Sequence, residues 1–103
     1  MSEELLLEEA SGTISIPAAT LARLVVSAAE LVDGARVRRP RRAVEISLAE
    51  GGAAVSLQLA VRYGAVLPEL TRAVQESVGR TLHEMCGLEV RGVDVSVEEL
   101  VER

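Results

Sequence analysis

Between Ala43 and Gly64 the chain reads AVEISLAEGGAAVSLQLAVRYG, and no other stretch limits the fold as much. Val44, Ile46 and Leu48 alternate with Glu45 and Ser47, and Val55, Leu57, Leu59 and Val61 alternate with Ser56, Gln58 and Arg62. A period of two places one apolar row on one face of each strand. Glu50-Gly51-Gly52 supplies the residues a tight reversal needs. The segment is therefore expected to form an antiparallel hairpin with one buried face, and the rest of the chain has to cover that face.

Two helical segments are available as cover. From Ala18 the apolar positions Leu21, Leu24, Val25, Ala28, Leu31 and Val32 recur at helical spacing, and Asp33-Gly34 closes the run. Pro68 opens a longer helix through about Cys86, with an expected core seam of Leu67, Leu70, Val74, Val78, Leu82 and Met85. Its outer face carries Arg72, Glu76, Arg80 and Glu84 at four-residue steps, each of opposite sign to its neighbour. Gly87 is the expected cap.

Two strand segments flank these helices. GTISIP alternates Ile14 and Ile16 with Thr13 and Ser15, and Pro17 keeps Ile16 extended. LEVRGVDVSV is a strand whose face switches near Gly92, as at a bulge. The element order β-α-β-β-α-β predicts an α+β two-layer sandwich, with two helices packed on one face of a four-stranded mainly antiparallel sheet. Residues 12–97 form the domain. Residues 1–11, with Glu3, Glu4, Glu8 and Glu9 around Leu5, Leu6 and Leu7, are expected to be an acidic flexible tail, too short for a helix of its own. Residues 98–103 make an acidic end.

Composition sets further bounds. The 103 residues fit one domain. The chain has no Trp or Phe, and Tyr63 is its single aromatic, so the core is built of Val, Leu and Ala and its layers must lie close together. One cysteine, Cys86, cannot cross-link its own chain, which suits a reducing cytosol. No stretch reaches the ~20 apolar residues of a membrane span, and Met1-Ser2-Glu3-Glu4 lacks the basic start of a signal peptide. Any membrane contact is expected to be peripheral or through a partner.

The net charge is −5, yet RVRRPRR gathers Arg36, Arg38, Arg39, Arg41 and Arg42 around Pro40 in what reads as a loop. Arginine recognises phosphate without regard to sequence. Single-strand binders add aromatic stacking platforms, of which this chain has one candidate, and the acidic total opposes the usual basic footprint. A small nucleic-acid-binding module using this loop is thus the alternative reading. A solvated loop, anionic lipid and an acidic protein partner are the others. The chain also holds its own complement, because Glu3, Glu4, Glu8 and Glu9 could meet these five arginines on a neighbouring subunit.

Catalytic chemistry has little to stand on. His83 and Cys86 have H-x-x-C spacing, but zinc takes three or four protein ligands and no further His or Cys exists. A cysteine at a helix C-terminus is disfavoured as thiolate by the dipole. Glu45, Glu50 and Glu69 read as surface carboxylates, and Gly51-Gly52 is a turn without the following helix of a phosphate cradle. The expectation is a non-enzyme with no catalytic, cofactor or metal residues. A ligand-binding regulatory domain remains open by fold analogy alone.

The run AVRYGAVLPELTRAVQESVGRTLHEMCGLEVRGVDVSV resembles the alkaline shock protein family, envelope-stress proteins of Gram-positive bacteria. A strand ends in Tyr63-Gly64, a helix carries Val74-Gln75 and Val78, and Gly87-Leu88 leads to a Val-x-Val-x-Val finish. GTISIPAATLARLVVSAAELVDG matches the family's opening strand, helix and closing glycine, so the resemblance spans roughly Gly12 to Val97. It implies a non-enzymatic homo-oligomer held at the inner face of the cytoplasmic membrane by a small membrane-anchored protein partner. Two departures stand out. The arginine loop replaces a longer variable insert, and Cys86 stands where Thr is usual.

Overall fold

The computed structural model describes residues 4–49 and 52–102. Strands Leu5–Glu9 (β1) and Gly12–Ile16 (β2) form an antiparallel ribbon, with partners running from Leu5↔Ile16 to Glu9↔Gly12. Helix Ala18–Glu30 (α1) follows Pro17 directly, and a two-residue strand, Ala35–Arg36 (β3), and a helical turn, Pro40–Ala43 (α2), come next. Strands Val44–Ala49 (β4) and Gly52–Arg62 (β5), helix Leu67–Cys86 (α3) and strand Val90–Val101 (β6) complete the chain. The architecture is α+β.

Strand β5 is the centre of the main sheet. Strand β6 runs parallel to it along almost its whole length, while β4 and β3 share its other edge, both antiparallel. The parallel pair is joined through α3, the connection such a pair requires. Helices α1 and α3 pack on each other and cover the row Val55, Leu57, Leu59 and Val61, each at most 2% exposed. The buried Ser77 hydroxyl donates to the Ala28 carbonyl at 2.7 Å and locks the helices together. Gln75 Nε2 donates to the Val93 carbonyl at 2.9 Å and ties α3 to β6. Gly87 takes the left-handed conformation, and its N–H and that of Leu88 close the helix on His83 and Leu82.

Several expectations change. The strand at 13–16 lies outside the main sheet, which gains its fourth strand from β3 and is mixed rather than mainly antiparallel. Only Pro17 separates β2 from α1, a shorter connection than the two to six residues that usually turn a strand back under its own helix. Leu5–Glu9, taken from sequence as a tail, supplies the partner strand instead, and Leu5 is 8% exposed. The arginine segment is a strand and a helical turn around three linking residues, Val37, Arg38 and Arg39, rather than a loop. Strand β6 continues past 97 to Val101. In the expected seams Leu31, Leu67 and Met85 are exposed at 78%, 38% and 65%, and Ser77 and Cys86 complete the buried face of α3. The switch near Gly92 is a register shift, since Ala53 pairs with Val90 but Ala54 with Gly92, leaving Arg91 as the extra residue. The turn at Glu50-Gly51 lies outside the described residues, and Ala49↔Gly52 is the pair that closes on it.

Candidate interaction surfaces

The five arginines do not form one patch. Arg36 lies on β3, whereas Arg38 and Arg39 border a small hollow of about 290 Å³ with Gln58, Glu98 and Glu99. Arg38 Nε stands 3.7 Å from Glu99 Oε1, so the acidic end of β6 partly neutralises this half. Arg41 and Arg42 belong to α2, and Arg41 borders a different and larger concavity. Pro40 at the start of α2 separates the two halves.

That larger concavity, about 1380 Å³, runs along β4. Its walls are a stripe of α1 (Ala18, Ala22 and Val26) and the inward row of β4 (Val44, Ile46 and Leu48). All six are half-buried. Leu21, Val25, Ala28 and Ala29 make the buried face of α1, Leu21 also borders the concavity, and the small residues of α1 let it pack directly against β4. Arg23 and Arg41 stand at the groove. Glu45, Ser56 and Asp94 also border it, forming a cross-strand row on the other face of the sheet.

Exposed apolar side chains lie at both ends of a molecule 49 Å long. Leu6 and Ile14 are on the ribbon; Leu31, Tyr63, Val66 and Leu100 lie where α1, β5 and β6 end. Of the sequence-singled glutamates, Glu4 accepts a hydrogen bond from the Ser15 hydroxyl, Glu8 and Glu9 are exposed at the far end of β1, and Glu3 falls outside the described residues. Among the described residues no ion pair joins them to the arginines within one chain.

Titratable chemistry is sparse. Arg62 donates through both terminal nitrogens to Asp33, at 2.7 and 3.3 Å, and holds that carboxyl below its ordinary value. Such a group adds stability above its unfolded value, and the contribution is lost as pH falls through the folded one. The pair is exposed, so salt screens it. Nuclear magnetic resonance titration is expected to find Asp33 acid-shifted and to find the shift gone in Arg62→Gln. Burial pushes the Cys86 thiol up, away from reactive thiolate. His83 is exposed, with Nδ1 3.3 Å from the Leu88 carbonyl oxygen. Among the described residues no three of His, Cys, Asp and Glu gather as a metal site.

A family profile described as the alkaline shock protein 23 family, of cell envelope-related function, matches residues 26–102. The chain belongs to this family. The match begins inside α1 and leaves the β1–β2 ribbon out. No curated protein matches the chain. Among solved structures it is similar to the MamM CTD in a zinc form, at 17% identity and a TM-score of 0.51, over 81% of this chain and 85% of that one. A second MamM CTD variant gives 18% identity and a TM-score of 0.49, over 75% and 80%. The first likeness shows a shared fold. No described helix of this family member is long and apolar enough to cross a membrane.

Proposed function

We propose that this chain is a non-enzymatic, self-associating scaffold of the cell envelope. It works at the inner face of the cytoplasmic membrane, where a small membrane-anchored protein holds it. The envelope role comes with the family. The observation that carries the scaffold reading is the distribution of exposed apolar side chains. Leu6 and Ile14 at one end and Leu31, Tyr63 and Val66 at the other stand 48% to 78% exposed. Apolar patches kept in water at both ends of one domain mark contact surfaces.

The acidic N-terminal segment (Glu3, Glu4, Glu8, Glu9) and the arginine segment (Arg36, Arg38, Arg39, Arg41, Arg42) serve as opposite halves of contacts between copies. Charges at such a rim chiefly set encounter rate and salt dependence. Light scattering is expected to find species heavier than a monomer at low salt, and replacing Arg38, Arg39, Arg41 and Arg42 with Ser to weaken them about tenfold, roughly 1.4 kcal/mol. A protein with membrane-spanning helices is expected to co-purify from native membranes. A monomer at every concentration and salt would remove the scaffold reading. Retention of RNA at physiological salt would favour the nucleic-acid alternative.

A further inference from the structure

We infer that the Asp33–Gly34 linkage is a site of spontaneous main-chain isomerisation, and that Arg62 holds the reaction back. The inference does not depend on self-association. The chain has no asparagine, and of its two aspartates, Asp33 and Asp94, only Asp33 precedes a glycine. Glycine has no side chain to hinder its own nitrogen, so that nitrogen can approach the preceding carboxyl carbon closely. The structure supplies the remaining conditions. The Asp33 side chain is 87% exposed, open to the water that the reaction releases and takes up. Among the described residues the Gly34 N–H donates to no acceptor, whereas its carbonyl accepts the Arg62 N–H at 2.9 Å. The nucleophile is thus unengaged. The turn also keeps the pair together, because Gly34 has φ +94° and a Cβ there would lie 3.2 Å from Leu70 Cδ1.

The chemistry needs no co-reactant. The Gly34 nitrogen bonds to Asp33 Cγ, and the carboxyl hydroxyl leaves with the amide proton as water, closing a succinimide ring. Water then opens the ring. Attack at the Asp33 main-chain carbonyl carbon breaks its bond to nitrogen and leaves Gly34 attached through Cγ, whereas attack at Cγ restores the original linkage. One water leaves and one enters, so the mass is unchanged. Ring closure proceeds from the protonated carboxyl, because a carboxylate has no good leaving group. Arg62 opposes that form: it donates to both carboxylate oxygens, at 2.7 and 3.3 Å, and favours the charged state. Isomerisation adds Cβ to the backbone just ahead of Ala35, which pairs with Val61, so β3 is expected to loosen from β5. Leu31, two residues upstream and 78% exposed, belongs to the end surface described above, which is expected to change with it.

Peptide mapping of aged full-length protein tests it. Trypsin releases residues 24–36 as one peptide, and electron-transfer fragmentation cleaves the Cα–Cβ bond only where the linkage has isomerised. Wild type is expected to accumulate that product slowly, and Asp33→Glu to show none, since its longer side chain disfavours ring closure. Arg62→Gln, verified as folded by circular dichroism, is expected to react about two- to fivefold faster, the scale of an exposed ion pair. On acidification its rate is expected to begin rising at a higher pH than that of wild type, and added salt to accelerate wild type alone. General loosening of the turn would raise the rate without displacing the pH profile. If the isolated peptide isomerises while folded wild type and Arg62→Gln do not, the folded site is unreactive and the inference fails. It fails equally if Arg62→Gln keeps the wild-type rate, pH profile and salt response.

Discussion

Replacing Leu82 with alanine is expected to cost about 3–4 kcal/mol, while Met85→Ala costs less than about 0.5 kcal/mol. Both residues lie on the last turns of α3, and sequence periodicity places both on one apolar seam. The structure separates them: Leu82 is 0% exposed and Met85 is 65% exposed. A buried leucine truncated to alanine loses its transfer free energy and leaves a cavity that close-packed neighbours only partly fill. Those neighbours are aliphatic, in a core without aromatic residues, so no large ring can shift into the gap. Met85 leaves a surface already in water. For a domain of about 100 residues the difference corresponds to roughly 12–25 °C in melting temperature, a large part of a total stability near 5–15 kcal/mol. Urea titration of the two variants measures it. Equal losses would mean that α3 is rotated from the orientation described.

This pair of residues also marks where sequence stops being informative. Residue 85 and residue 86 both extend the stripe through Val78 and Leu82, and helical spacing alone does not choose between them. The choice belongs to tertiary packing, which brings Cys86 into the core cluster and leaves Met85 outside. The β4–β5 hairpin and the bulge at Arg91 were legible because period-two alternation is local and a change of face requires an extra residue. Strand β1 was not legible: Leu5, Leu6 and Leu7 carry no alternation, and their strand character comes from pairing with Ile14, Ser15 and Ile16. Strand β3 is two residues long, below what any pattern reveals. Of the candidate surfaces, only the charges were legible. That Arg41 faces one concavity and Arg38 another follows from the turn at Pro40 and from where β6 ends, both consequences of tertiary packing. The α1–β4 groove had a sequence signal in Ala18 and Ala22, which the helical reading passed over because alanine fits any face.

The second large loss is expected from Gly52→Val, about 2–3 kcal/mol, set against Gly92→Ala, which is expected to be neutral or stabilising by up to about 1 kcal/mol. Both glycines lie on the paired strands β5 and β6, and neither has positive φ, so conformational freedom does not distinguish them. Space does. A Cβ at Gly52 would lie 2.6 Å from Arg91 Nε and 2.9 Å from the Glu89 carbonyl oxygen, whereas one at Gly92 would meet nothing within 4 Å. The arginine side chain can swing aside. The carbonyl cannot, because it is backbone and accepts the Ala53 N–H at 2.9 Å, the bond that begins the parallel pairing of β5 with β6. A valine must therefore push β6 away where the bulge at Arg91 sets its register, and with it the row Val93, Val95 and Val97 that packs against the helices. Amide hydrogen exchange is expected to show the loss first at Ala53 and Ala54 and to leave the β3 end of β5 protected. A Gly52→Val protein as stable as wild type would mean that β6 does not approach β5 this closely, and the register carrying Val93 into the core would have to be redrawn.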